Sequence, residues 1–445
     1  MLLVPSFVAL VQPLATAFTA PSFASWLVVI TGWVFAPRRT VTGALCAAGA
    51  VRRSRTSKAK HHSAYHRLFS VAQWSLDRVG LAVFGLVEAW TGVVEILLTL
   101  DDTLARKRGT KCLFGAGMHH DPLQSSKKKA VMSWGHSWVV LCVAVRLPFA
   151  PDRWVSLPVL FCLYLNKKAA AKADCAYRSR PALAVELIAT LCAARPQRRF
   201  HLVADSAYAG ESVLGHLPPN CDMTSRLVLD ARVHALAPPR TPGKRSGRPR
   251  VRGARVLSPA QMLSGRGRRI RVDLYGRRGE RMRVVEAVGC VFKVPGRLLR
   301  IVAVEPLTGG RPVQAFFSTV AGDTAETVLT RYAARWSIEE MNKARKQELG
   351  FAEPQGWTPK AVQRTAPTLM LLYTLVTLWF AKTGSRRWQL VVLPWYRSKS
   401  LPSFADMLQT LRRESVKHWV LQQAPRGRPC KNPVRLALRA AQLAA

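Results

Sequence analysis

The chain has 445 residues, enough for two or three cooperating domains, and carries 67 Lys plus Arg against 25 Asp plus Glu, a formal charge of +42. Such an excess repels itself unless a polyanion is the working partner, so the charge names nucleic acid first, with a ribosomal protein or a membrane-surface binder as rivals, and implies no chemistry. Nine cysteines with no C-x-x-C pair exclude a disulfide framework and a zinc module, and read as reduced cytosolic thiols.

Leu2 to Ala36 holds no charged residue, but it lacks a preceding basic segment and is broken by Pro5, Pro13 and Pro21, so it reads as buried helices rather than a leader or membrane span. Helical spacing continues through Leu68 to Trp90, with a basic run from Arg52 to His62, and residues 1–90 form a helical N-terminal DNA-binding domain. From Val93 the pattern turns to strands. VVEILLTL runs into Asp101-Asp102-Thr103, and His136 to Leu147 and Trp154 to Leu165 follow. Arg180 to Ala194 is a helix, and Phe200 to Ala204 is a short strand ending at Asp205. Three strands, a helix and a strand, with acidic residues ending the first and fourth strands, is an RNase H-like order; it assigns 91–236 to the first part of that core.

Residues 237–322 open with the basic linker PPRTPGKRSGRPRVRGAR and continue as a β-rich insertion, with strands at Ile270 to Tyr275, Met282 to Val294 and Leu298 to Val304. Asp323 and Thr324 cap a helix through Trp336, and Ser337 with Glu340 forms a capping box that restarts it. Thr365 to Ala381 is short for a membrane span and contains Pro367, so it is a core helix. Residues 323–400 thus complete the core and 401–445 form a basic tail. The fold class is α/β: a mixed five-stranded RNase H-like sheet flanked by helices, an all-α N-terminal domain and the β-rich insertion.

Cutting and rejoining a phosphodiester needs an activated nucleophile, a stabilised leaving oxygen and neutralised phosphate charge, work that carboxylates from separate elements perform by holding two metal ions. Asp102, Asp205 and Glu339 offer that set. Tyr332-x2-Arg335-x3-Glu339-x6-Lys346 places two cations and a phenol beside the carboxylate on one helical stripe. With this signature the chain resembles the insertion-sequence DDE transposases that carry Tyr-Arg-Glu-Lys, and the surrounding phrases match along nearly the full length: RYAARWSIEEMNKARKQELG, LTLDDTLARKRG, HLVADSAYAG, FAPRRTVTGAL and AYHRLFSVAQWS.

The resemblance implies that Asp102, Asp205 and Glu339 bind two Mg2+ ions per active site, with Mn2+ able to substitute, while Tyr332, Arg335 and Lys346 hold the transposon-end strand. The acidic residue directly before Thr is the catalytic one in the family, which favours Asp102 over Asp101; strand alternation puts these two on opposite faces. The long interval between Asp205 and Glu339 fits the family's β-rich insertion. Met341-Asn342 departs from the pattern, where an aromatic is common. The implied function is cleavage at terminal inverted repeats of double-stranded DNA and strand transfer into a target, performed by a dimer on DNA, in the bacterial cytoplasm and on the nucleoid when bound.

Blander readings stand beside these. Asp102 and Asp205 could each cap a helix, and Lys346 could be one solvated base among many. His119-His120 lacks a third ligand spaced for zinc, so a structural or DNA-contacting role is favoured, and His136 is read as a core or supporting residue. Ser246 to Arg250 resembles an AT-hook, which makes Arg248 and Arg250 general DNA contacts. The rival functions are a nuclease that cuts without joining and an inactive basic DNA-binding protein derived from a transposase.

Overall fold

The computed structural model describes residues 2–51, 60–91, 94–109, 113–126, 128–239, 250–308, 310–388 and 399–423. The charge-free N-terminal stretch forms helices α1 (Pro5–Val11) and α2 (Ala20–Phe35), each with proline in its first turn, where the missing N–H costs nothing. Helices α3 (Val41–Ala48), α4 (His62–Ser70) and α5 (Leu76–Glu88) follow; Thr40 and Ser75 cap the first and last of these through their hydroxyls.

Strands β1 (Glu95–Arg106), β2 (Gly117–His120), β3 (Met132–Leu147) and β4 (Ala150–Tyr164) lead to the short helix α6 (Lys167–Lys172) and to α7 (Arg180–Ala194). Then come β5 (Arg199–Ala204), α8 (Glu211–Leu214), β6 (Cys221–Leu227), β7 (Val233–His234), α9 (Pro259–Met262), and β8 to β11 (Arg268–Leu274, Arg277–Val291, Leu299–Pro306, Gln314–Ser318). Helices α10 (Ala325–Ala334), α11 (Trp336–Glu348), α12 (Pro359–Lys382) and α13 (Phe404–Gln423) complete the described chain.

The result is a mixed α/β fold built on one large mixed sheet. Strands β4, β3 and β1 pair antiparallel, β5 lies parallel to β1, and β6 parallel to β5. The runs forming β1, β3, β4 and β5 are ones the sequence marks as strands, whereas β6 and the parallel pairing are not marked there. The sheet does not stop at five strands, however. β11 pairs with the outer edge of β6, and β10, β9 and β8 continue from it. An open β6 edge would leave a row of unpaired backbone groups, and the strands from the 237–322 stretch satisfy them.

β1 also runs beyond its expected end at Asp102, because its antiparallel partner continues opposite it as far as Arg106↔Gly135. The parallel partner does not, and the last β1–β5 pair is Leu100↔Ala204. A crevice therefore opens beside Asp101 and Asp102 at the carboxyl end of β5, the place where open α/β sheets bind their ligands.

Behind the sheet α12 is buried along most of its length and packs on β4, while Trp379 donates to the Ser6 hydroxyl at 3.0 Å and Arg364 reaches the carbonyls of Phe69, Ala72 and Trp74. The N-terminal helices thereby share one core with the C-terminal ones. Among the described residues no helix is long and apolar enough to cross a membrane.

Candidate active site

Thr99, Ser156 and Ser337 form a buried hydroxyl chain, with 2.7 Å and 2.6 Å between successive oxygens, that ties the centre of β1 to α11 through β4. Ser337 also donates to the Ala334 carbonyl, so it is engaged in this tie rather than in a capping box with Glu340; α11 nevertheless restarts at Trp336. Because side chains alternate along a strand, Asp101 lies on the same face as Thr99 and faces α11, and Asp102 faces the other way.

The contacts of the two aspartates follow that division. Asp102 accepts from the Tyr208 hydroxyl at 3.2 Å and pairs with Arg180 of α7 at 3.2 Å. Burial raises its pKa against the pull of Arg180 and Tyr208. Asp101 is pushed up to about 7, first by burial and then by the charges of Asp102 and Asp205, with Arg335 opposing. Asp205 follows directly on β5 and accepts from the Ala207 N–H at 2.9 Å, which starts a short turn of 3₁₀ helix; it is within Coulomb reach of both aspartates. Burial, reinforced by the charges of Asp102 and Asp205, thus keeps Asp101 hard to ionise.

Glu339, in the first turn of α11, is held by Arg335 at 2.6 Å in an i,i+4 pair. Although burial pulls Arg335 down, Tyr332, Glu339 and Asp101 hold it above its ordinary pKa. Arg335 therefore links Glu339 electrostatically to the aspartates. Tyr332 is buried with its ring 4.7 Å from that of Phe316, and Lys346, two turns beyond Glu339, is pulled down to about 8 by burial and by the neighbouring Arg345 and Arg106. Arg250 is exposed and away from this cluster in sequence, and Arg248 lies outside the described residues.

Sequence reasoning did not single out Arg180, Tyr208 or Arg345. Arg345 is fully buried on α11, stacked 4.1 Å from the Phe351 ring and bonded to Asn342, with its pKa lowered to about 9 by burial. A basic side chain among 67 carries no signal of its own; only the position of Arg180 at the start of a predictable helix hinted at a role.

A family model described as "DDE superfamily endonuclease" matches residues 13–272. The chain belongs to the DDE superfamily endonucleases. The matched span of this DDE endonuclease takes in both aspartates of β1 and Asp205 and ends before Glu339. Among solved structures, a piggyBac transposase synaptic complex with hairpin DNA is similar at 10% identity with a TM-score of 0.42, covering 96% of this chain and 76% of that one. No curated protein matches.

The donor chemistry suits a divalent cation, because carboxylates are hard oxygen ligands and a cation relieves the like-charge energy among Asp101, Asp102 and Asp205. Among the described residues no three His, Cys, Asp or Glu side chains stand close enough together to hold one ion. Glu339 is turned to Arg335.

Proposed function

We propose that this DDE endonuclease is a cut-and-paste DNA transposase that cleaves at terminal inverted repeats and joins the freed ends to a target, with Asp205, Glu339 and a β1 aspartate holding two Mg2+ ions, or Mn2+ in their place. The observation that carries the reading is that Asp101, Asp102 and Asp205 lie within electrostatic reach of one another at the carboxyl ends of β1 and β5, with Glu339 coupled to them through Arg335. Bound there, divalent metal would supply the activated nucleophile and stabilise the leaving oxygen.

The chain's own residues do the rest. Arg335 balances Glu339 and would pass to the scissile phosphate as the carboxylate turns inward. Lys346, Arg335 and Arg180 concentrate positive charge on both flanks of the carboxylates, where a phosphate backbone would lie. The resemblance nominates Asp102 as the β1 ligand. Placement of Asp101 on the Glu339 face supports Asp101 instead, with Asp102 locked to Arg180 as its neighbour, and we adopt that assignment. Double-stranded DNA is the partner, bound by a dimer that holds two ends, with Tyr332 backing Arg335 and with Arg248 and Arg250 as outer contacts.

Labelled duplexes carrying the element's own ends, incubated with Mg2+ and a target plasmid, test the reading. End cleavage together with covalently joined end–target products supports a transposase. Cleavage without joining identifies a nuclease, and binding without either identifies a basic DNA-binding protein.

A further inference from the structure

Beyond the β2 side of the carboxylates lies a cavity of about 660 Å³ that the proposed chemistry leaves unused. Its walls include Phe114, Trp134 and Trp357, and its rim carries the exposed Lys167 and Lys168. Trp357 is 62% exposed, unusual for so large an apolar side chain, while the loop bearing it is pinned: its carbonyl accepts from Phe114 N–H at 3.3 Å, and Lys107 donates to the Ala352 carbonyl at 2.7 Å. The indole N–H of Trp134 is buried without a hydrogen-bond partner among the described residues.

A ladder of cations and rings connects this cavity to the crevice. Lys167 lies 5.7 Å from the Tyr177 ring, Tyr177 meets Tyr164 edge-on at 6.3 Å, and Arg180 stacks 4.3 Å over Tyr164 while pairing with Asp102. A pair of rings flanked by a cation at each end suits a single strand, whose phosphates take the cations and whose unstacked bases take the rings.

We propose that Arg180, Tyr164, Tyr177 and Lys167 form a track for single-stranded DNA leading away from the carboxylates, and that the Phe114–Trp134–Trp357 cavity holds one of its unpaired nucleotides. A duplex offers no free base face and would gain nothing from the indoles. The proposal rests on the reading that DNA is cut at the crevice only in giving the strand a reason to be there.

The test is equilibrium binding of the full-length protein, in EDTA, to a fluorescein-labelled oligodeoxythymidylate and to a duplex of equal length, for wild type, Trp357→Ala, Trp357→Phe and the Lys167→Gln/Lys168→Gln double variant. Trp357→Ala should weaken single-strand binding by roughly 5- to 100-fold with duplex binding unchanged, and Trp357→Phe should keep most of the affinity. The lysine variant should flatten the single-strand salt dependence by roughly 0.7 in log–log slope per lost contact. Because the Trp357 backbone rather than its ring makes the loop contact, unchanged unfolding midpoints are expected. Wild-type single-strand affinity in Trp357→Ala, or equal losses on single strand and duplex, would overturn the proposal. Since no cleavage is read, failure here is distinct from failure of the transposase assignment.

Discussion

Two neighbouring aspartates on one strand have opposite surroundings, and that difference can be measured. Asp101 is buried on the face toward α11 and feels the charges of Asp102 and Asp205, whereas Asp102 pairs with Arg180 and accepts from the Tyr208 hydroxyl. Asp101→Asn should lower end cleavage by on the order of 10²–10³, the scale of losing one preorganised electrostatic contribution, because it removes a carboxylate that would hold the metal. Asp102→Asn should cost less and should shift with Arg180→Lys in a double-mutant cycle, because the two share one contact. Equal losses from both single variants, with no coupling to Arg180, would remove the distinction.

Two histidines give a pH prediction at the same scale. Burial, aided by Arg180 for His119 and by Lys107 for His136, lowers both to about 4, and each is therefore neutral in the fold at neutral pH. The unfolded chain takes up these protons near pH 6.5, before the folded one can, so stability is complete above that value and falls as pH drops from 6.5 toward 4. His136 donates from Nε2 to the Phe114 carbonyl at 2.8 Å, which fixes the neutral ring as the Nε2–H tautomer. Urea midpoints measured between pH 7 and 4 should decline, and His136→Gln should reduce the decline; a flat profile would contradict the assignment of neutral buried rings.

At the scale of elements, the fit of helices behind the sheet depends on close approach. Gly80 of α5 lies so near β4 that an added Cβ would sit 2.2 Å from the Val159 carbonyl oxygen, and the backbone there cannot yield. Gly80→Ala should therefore destabilise by about 1–3 kcal/mol through overpacking, read as a lower urea midpoint at unchanged m. A neutral result would mean that α5 can slide on β4.

Much of this layer is written in the sequence. The β-branched runs of β1, β3 and β4, the helix from Arg180 and the short strand before Asp205 are visible locally, because period and burial are local properties. Other features depend on partners far along the chain. That β1 continues to Arg106 follows from β3 pairing with it, and that the sheet grows past five strands follows from β11 docking on β6. Alternation assigns Asp101 and Asp102 to opposite faces, but only the Thr99–Ser156–Ser337 chain fixes which face meets α11. The same applies to Ser337, whose hydroxyl serves that chain and not the local cap its spacing suggests.

For the whole molecule the dominant quantity is the charge of +42, spread over helices, sheet edge and the basic 238–255 stretch. Each phosphate neutralised releases counterions, so duplex binding should weaken steeply with salt, by roughly a thousandfold or more between 50 and 200 mM. A shallow dependence would mean that the charge serves another polyanion or stays distant from the duplex. The steep one would hold equally for a binder without chemistry, and so it is the carboxylates, not the charge, that separate an enzyme from a basic scaffold.

Glu339 is the carboxylate on which that separation turns, since it alone comes from the far side of the inserted strands and rests on Arg335. The most direct measurement is cleavage and joining of labelled transposon-end DNA by wild type and Glu339→Gln, in Mg2+ and in EDTA, with end binding followed in parallel. A metal-ligating role for Glu339 requires that both reactions depend on the metal and are lost in the variant while end binding remains. Glu339→Gln cutting and joining at the wild-type rate would contradict it.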